Sequence, residues 1–380
     1  MTIKVMAVFG TRPEAIKMAP LIKELEREKT FFEVKVAVTA QHREMLDQVM
    51  RLFAVEPDYD LNLMQAGQTL EDITSGVLRG LAGIYRREEP AMVLVHGDTT
   101  TTFAAALAAY YARIPVGHVE AGLRTGDKYS PFPEEINRRL TGALAELHLA
   151  PTLKARENLL AEGVPEKSIH VTGNTVVDAL LATVRRPFSD PLLASLDPAL
   201  RWLLVTAHRR ESWGEPMEQT FMALKDLLEQ FPDTGVLFPV HKNPRVRELA
   251  ENILGGIPRC LLVEPMDYLP FVQAMNRCYL VLTDSGGMQE EAPALGKPVL
   301  VLRDTTERPE AMSAGTVKLV GTSRSRVFAE TAALLRDQKT YLRMANAVNP
   351  YGDGQAARRA KEALLYYFGH RQAPPLPWQP

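Results

Sequence analysis

The sequence predicts an α/β protein in two halves, each a parallel sheet covered by helices. Three observations carry this. Short β-branched runs ending in Gly, Asp, His or Pro alternate with longer segments of helical periodicity, the mark of βαβ units. The alternation pauses once, over residues 185–200, and then restarts. The length of 380 residues suits two or three domains at roughly 100–200 residues each.

In chain order, strands are expected at Ile3–Phe9, Val34–Thr39, Met92–His96, Val116–Glu120, Leu147–Ala150 and His170–Thr172. Helical periodicity marks Ala15–Arg27 and Thr69–Arg87 between them. The segment 185–200, RRPFSDPLLASLDPAL, holds three prolines and little periodicity, and reads as the end of an interdomain connection. Beyond it, strands are expected at Trp202–Ala207, Val236–Val240, Leu261–Val263, Leu280–Thr283, Val299–Leu302 and Val317–Val320. A last helix covers Gln355–Phe368, and the proline-rich tail QAPPLPWQP is expected to be extended or poorly ordered. The halves repeat an architecture, not a sequence.

Composition excludes several classes. With 44 basic and 46 acidic side chains the formal charge is −2, so nothing asks for nucleic acid or an anionic membrane. Cys260 and Cys278 are too few for a disulfide framework or a Cys-based zinc site. The start, MTIKVMAVFG, runs straight into a strand pattern without a signal segment. The longest apolar stretch, near Phe103–Ala112, falls short of the roughly 20 residues a membrane helix needs. A cytoplasmic protein is expected. The histidines lack H-x-x-x-H spacing and no acidic run matches a calcium loop, so no metal is expected. Neither G-x-G-x-x-G nor G-x-x-x-x-G-K-[ST] follows any strand. A Rossmann NAD site and a P-loop are therefore unsupported, and no cofactor is implied.

In open α/β sheets ligands bind at the carboxyl ends of strands, near a topological switch point. Two such domains facing each other would make a cleft, so the strand ends are where chemistry is sought. The first strand exits into GTRPEAIKMAP. Thr11 and Glu14 fit a capping box with Pro13 in the first turn, which accounts for all but Arg12 and Lys17. Those two cations suit an anionic ligand. HGDTTTT places Asp98 at a strand exit, with threonines to cap the helix. GHVEAGLRTGD places Glu120 directly after a buried strand, with Arg124 as the ordinary ion-pair partner. In PFPEEINRRL, Glu134–Arg138 and Glu135–Arg139 have surface ion-pair spacing. Asp98, Glu120 and Glu134 are thus candidate acid/base carboxylates.

The second half exits its first strand into AHRRES, where His208, Arg209 and Arg210 are placed to meet phosphate. VHKNP adds His241 and Lys242. The most specific segment is DSGGMQEEAPALGKPVLVLRDTTERPE. Ser285, Gly286 and Gly287 open a helix, and small residues there let backbone N–H groups approach a diphosphate. Glu291, one turn on, suits two ribose hydroxyls, and Arg308 suits phosphate.

These segments, with TAQHREMLDQV and VTGNTVVD, closely resemble the non-hydrolysing bacterial UDP-N-acetylglucosamine 2-epimerases, in order and over most of the chain. The resemblance implies a GT-B fold: two Rossmann-like domains with the active site in the cleft between them. Its implied boundaries are 1–172 and 173–356, with the helix at about 357–380 crossing back to the first domain. It implies a homodimer that interconverts UDP-GlcNAc and UDP-ManNAc for cell-surface polysaccharides, with no redox cofactor. The implied mechanism is UDP elimination to 2-acetamidoglucal, then re-addition. Asp98, Glu120, Glu134 and His208 match its catalytic residues. Arg12, Lys17, Arg138, Ser285, Gly286, Gly287, Glu291 and Arg308 match its substrate-binding residues. Gln41, His42, Gln68, Arg209, Arg210 and His241 lie in segments resembling its allosteric UDP-GlcNAc region. The order in which the carboxylates act stays open. So do three rival readings: a hydrolysing epimerase releasing ManNAc and UDP, a GT-B glycosyltransferase, and a non-catalytic UDP-sugar sensor. Three clustered carboxylates speak against the sensor, because they add nothing to binding an anion.

Overall fold

The computed structural model describes residues 2–39, 43–63 and 67–380, apart from the side chains of residues 43 and 44. The chain forms two units. The first comprises Met1–Ala179 and Tyr351–Pro380, the second Leu180–Pro350.

The first unit holds β1 (Ile3–Phe9), β2 (Phe32–Val38), β3 (Tyr59–Asp60), β4 (Met92–His96), β5 (Val116–Val119), β6 (Leu147–Ala150) and β7 (Ile169–Val171). They form one sheet in the order β3-β2-β1-β4-β5-β6-β7, and every pair is parallel. The order reverses between β1 and β4, which is the topological switch point. β4, β5 and β6 are buried at every position, as expected of strands covered on both faces. Two-residue β3 escapes sequence reading because only Ala37–Tyr59 and Val38–Asp60 pair. The apolar run near Phe103–Ala112 is the helix Thr100–Tyr111, whose Ala104, Ala105, Ala106, Ala108 and Ala109 are buried in the core. No described helix is long and apolar enough to cross a membrane.

The second unit holds β8 (Arg201–Thr206), β9 (Thr234–Pro239), β10 (Cys260–Val263), β11 (Leu280–Thr283), β12 (Val299–Val301) and β13 (Val317–Leu319). Its sheet runs β10-β9-β8-β11-β12-β13, again all parallel. Here the switch point lies between β8 and β11. Leu203, Val205, Phe221, Leu224, Phe238, Leu280 and Leu282 lie in its core. Each unit is therefore Rossmann-like, the pair of domains that defines the GT-B class.

The unit boundaries fall at 179/180 and 350/351, not at 172/173 and 356/357. Local bonds explain the shift. Asn174 N–H donates to the Tyr351 carbonyl at 2.6 Å, and the Asp178 carboxylate accepts from Ala356 N at 3.1 Å and Ala357 N at 2.9 Å. The start of the helix Thr175–Val184 and the returning chain thus form one piece. The expected connection at 185–200 belongs wholly to the second unit. Asp190 caps a short helix there, Pro191–Ala194, and Arg277 donates to the Leu193 carbonyl at 2.6 Å.

The last helix, Ala356–Tyr367, packs on Arg12–Arg27 within the first unit. Its buried Lys361 reaches Glu24 at 2.9 Å and Glu28 at 3.0 Å. The tail is extended yet anchored: Trp378 N–H donates to the Val171 carbonyl of edge strand β7 at 2.8 Å. Arg359 lies over the Trp378 ring, 5.4 Å from its centroid.

Candidate functional site

In the first unit the candidate residues gather at the carboxyl ends of β1, β4 and β5, across the switch point. Thr11 caps the helix Arg12–Arg27 in a full capping box with Glu14. Glu14 does more than cap. Its Oε2 accepts from Gly10 N at 3.0 Å, Thr11 N at 2.8 Å and Thr11 Oγ1 at 2.8 Å. Its Oε1 accepts from Thr99 Oγ1 at 2.7 Å and Thr102 Oγ1 at 3.0 Å. Burial pushes this carboxyl up and the hydroxyls and N–H groups oppose it. The turn carrying Arg12 and the turn carrying Asp98 are thereby tied to one buried group. The Arg12 guanidinium touches Met45 Sδ at 3.9 Å and forms no ion pair among the described residues.

Glu120 sits one residue past the end of β5, at a φ of +62°. That left-handed backbone ends the strand at Val119 rather than at Glu120, and is uncommon for a residue with a Cβ. Glu120 does not pair with Arg124, which goes to Glu162 at 2.7 Å. It pairs with Lys17 through Oε2, and Asn174 Nδ2 donates to the same oxygen at 2.7 Å. The Lys17 and Glu120 side chains are only 13% and 8% exposed. Burying such a pair costs desolvation that its attraction repays poorly, so it is weak as a stability device. His96 Nε2 lies 3.8 Å from Glu120 Oε2. Burial drives the His96 imidazole down to about 4, against the pull of Glu120, so this neighbour is neutral.

Asp98 pairs with Arg138, and its carbonyl accepts from Asn137 Nδ2 at 2.9 Å. The i,i+4 pairs expected on the helix Glu134–Leu144 do not form. Arg138 bridges Asp98 and Glu135, the latter at 3.4 Å, while Arg139 turns to Glu162 at 3.4 Å. Glu135 instead accepts from Thr125 N at 3.0 Å and Gly126 N at 3.2 Å, holding the loop between the catalytic candidates. Glu134 keeps one buried carboxylate oxygen without a partner among the described residues.

In the second unit, β8 and β11 deliver His208 and the 285–287 turn side by side. Thr206 and Thr283 are register partners, joined by a 2.6 Å hydroxyl contact. Asp284 follows at once. Its Oδ2 accepts from His208 N at 2.6 Å and Arg209 N at 2.7 Å, and its Oδ1 lies 2.8 Å from His208 Nδ1. The His208 and His241 rings stack at 6.0 Å. Arg209 reaches Glu307 at 3.7 Å, and Arg210 is exposed in the turn Arg210–Ser212. A Cβ on Gly286 would lie 2.9 Å from Glu307 Oε1, so a larger residue there requires the end of the Glu307 side chain to shift. Glu291 accepts from Tyr268 Oη at 3.1 Å. Arg308 is held by fully buried Glu290 at 2.6 Å.

The helix opened by Gly287 is only Met288–Glu291 before tightening to a 3-10 turn. A helix this short adds little dipole at the turn. Gln68 lies in the first unit with its amide on the Leu63 carbonyl; Gln41 and His42 lie outside the described residues. A cavity of about 470 Å³ lined by Trp213, Met217, Arg245 and Leu249 contains none of the candidate residues. Sequence reading missed three contributors. His96 ends β4, Asn174 lies in VTGNTVVD, and Asp284 precedes the glycines. Their strand-end positions were the available signal.

The family described as UDP-N-acetylglucosamine 2-epimerase matches residues 23–365. The UDP-N-acetylglucosamine 2-epimerase of Escherichia coli K12 is 57% identical over 369 residues, covering 95% of this chain and 98% of its own. That of Bacillus subtilis 168 is 54% identical over 373 residues, covering 98% of both. The crystal structure of the Neisseria meningitidis UDP-GlcNAc 2-epimerase bound to UDP-GlcNAc superposes with a TM-score of 0.88 at 48% identity, covering 96% of this chain and 100% of its own.

Proposed function

The chain belongs to the UDP-N-acetylglucosamine 2-epimerase family, and from that premise we propose that it interconverts UDP-GlcNAc and UDP-ManNAc without hydrolysis. UDP leaves carbon 1 as the proton leaves carbon 2, giving 2-acetamidoglucal and UDP. UDP then adds back while a proton arrives on the opposite face of carbon 2.

The observation that carries this reading is the switch-point cluster of the first unit. Three carboxylates stand there in three environments: Glu120 on Lys17 and Asn174, Asp98 on Arg138, and Glu134 with an unpartnered oxygen. Carboxylates in separated environments suit the two proton steps that inversion at one carbon requires. The proton on carbon 2 is weakly acidic, because no carbonyl is attached there. Leaving-group departure must therefore carry much of the barrier. In this reading the 285–287 backbone, His208, Arg308 and Arg12 stabilise the departing diphosphate, and Glu291 holds the ribose. Lys17 and Arg138 orient their carboxylates.

The test is proton NMR with UDP-GlcNAc in D₂O. UDP-ManNAc carrying deuterium at carbon 2 is the expected product. Accumulation of free ManNAc and UDP would identify a hydrolysing enzyme, and tight binding without exchange would overturn the epimerase reading. Glu120→Gln and Glu134→Gln should each lose about 10²-fold or more in exchange rate, while UDP still raises the melting temperature.

Two family-derived features belong to the same proposal. UDP-GlcNAc also activates the enzyme through the region of Gln41, His42, Gln68, Arg209, Arg210 and His241. Strictly hyperbolic kinetics, with UDP-ManNAc converted alone, would remove that part. The enzyme acts as a homodimer, which light scattering should register as twice the 42.3 kDa chain mass.

A further inference from the structure

We propose that Asp284 is a positioning residue for His208, holding the imidazole as the tautomer that carries its proton on Nδ1 and aiming Nε2 at the nucleotide turn. The proposal rests on the reading of His208 as a diphosphate partner in the epimerase reaction.

The argument starts from cost. The Asp284 side chain is 2% exposed. A buried carboxylate is expensive unless hydrogen-bonded and paired. The Asp284 contacts all run to one place: Oδ2 accepts from the backbone N–H groups of His208 and Arg209 at 2.6 and 2.7 Å, and buried Oδ1 lies 2.8 Å from His208 Nδ1 at ion-pair distance. Burial pushes the carboxyl up, but the His208 ring and the two N–H groups outweigh it, leaving Asp284 below the ordinary carboxylate range. It is ionised, and an ionised carboxylate only accepts. The proton shared along the 2.8 Å contact therefore belongs to Nδ1. Nε2 is then the free nitrogen of a ring that is 41% exposed.

The second ring fits the same assignment. His241 Nδ1 accepts from Asn243 N–H at 3.1 Å, which leaves that ring without a proton on Nδ1. Burial first, and then His208, push His241 below its ordinary value. Of the two stacked rings, His208 is the one whose Nδ1 faces a carboxylate, at 2.8 Å. With Nδ1 held at Asp284, Nε2 is the nitrogen left to meet a ligand, and it is a donor whenever the ring is protonated. It stabilises negative charge growing on a departing diphosphate, with Asp284 stabilising the imidazolium from behind. The same carboxylate joins the 208–209 backbone to the first residue of the turn, so donor and cradle keep one spacing.

The experiment compares wild type, Asp284→Asn, His208→Gln and the double variant. Asparagine can still accept the two backbone N–H groups through its oxygen, but presents an NH₂ group to Nδ1. That forces the neutral ring into the Nε2–H tautomer and disfavours the imidazolium. Such a tautomer error is costly in a comparable His–Asp arrangement. Asp284→Asn should lower kcat for carbon-2 exchange by about 10²-fold with little change in KM, and should add nothing in the His208→Gln background. Selective ¹⁵N labelling of histidine in wild type, with the His208 signal assigned by its loss in His208→Gln, should show Nδ1 protonated. A deprotonated Nδ1, a wild-type kcat in Asp284→Asn, or additive losses in the double variant would overturn the proposal. Should Asp284→Asn fail to fold, the wild-type ¹⁵N spectrum decides alone. If wild type shows no carbon-2 exchange at all, the epimerase reading fails instead, and the ring tautomer still judges Asp284.

Discussion

At the scale of single residues, the site is recognisable by what its side chains decline to do. Ordinary ion-pair spacing would join Glu120 to Arg124 and Glu134 to Arg138. The fold routes Arg124 to Glu162 and Arg138 to Asp98 and Glu135, and puts Glu120 against Lys17 instead. Lys17→Met should therefore lower exchange at carbon 2 by at least about tenfold and should also lower the melting temperature, because it leaves the mostly buried Glu120 carboxylate without its cation. Unchanged exchange would show that Lys17 does not orient Glu120. Glu14 predicts a loss of stability. Glu14→Ala strands four donors, the Thr102 hydroxyl keeping the His96 carbonyl, and should cost about 3 kcal/mol of unfolding free energy by denaturant titration. Glu14→Gln, which keeps an acceptor, should cost less.

At the scale of elements, the strands were legible because both faces of each sheet are covered, which makes the runs continuously apolar. Two-residue β3 was not, since no periodicity fits in two positions. The helix after Gly287 was legible but its single turn was not, because its apolar neighbours continue as a 3-10 turn with no break in pattern. The nucleotide turn predicts its own sensitivity. Gly286→Ala would bring a methyl to 2.9 Å from Glu307 Oε1. UDP affinity by calorimetry should fall as the Glu307 carboxylate is displaced, whereas Gly83→Ala, which meets nothing within 4 Å, should leave it unchanged.

At the scale of the molecule, three of the four buried histidines of the first unit set an acid limit. Burial pushes His96 to about 4, His118 to about 3 and His148 to about 4. All three are depressed, so the unfolded chain binds more protons than the folded one between about pH 4 and 6.5. Stability therefore rises with pH across that window and is lost as pH falls through it. Near pH 5 the three together contribute a slope of up to about 4 kcal/mol per pH unit. Asp178, pushed up to about 6 by burial, contributes in the opposite sense over about pH 4–6. Thermal unfolding from pH 7 to 4.5 should show the net acid loss, and a flat profile would count against neutral buried histidines. The returning chain is a second whole-molecule feature. Removing residues 351–380 would expose the Arg12–Arg27 face covered by Ala360, Ala363, Leu364 and Leu365 and should yield insoluble protein.

The sequence by itself determined the alternation of strand and helix, the division into two halves, and the strand-end motifs that resemble one enzyme family. Those are local properties: periodicity, turn chemistry and residue type at a strand exit. The tertiary structure decided which charges meet. Lys17 and Glu120 lie on different elements, as do Asp98 and Arg138, and Asp284 finds His208 only because β8 and β11 are neighbours in the sheet. It also decided where the units divide, since Asn174 and Asp178 bond to a segment that returns some 180 residues later. Ion pairing depends on distance and burial, and neither is written in spacing along the chain.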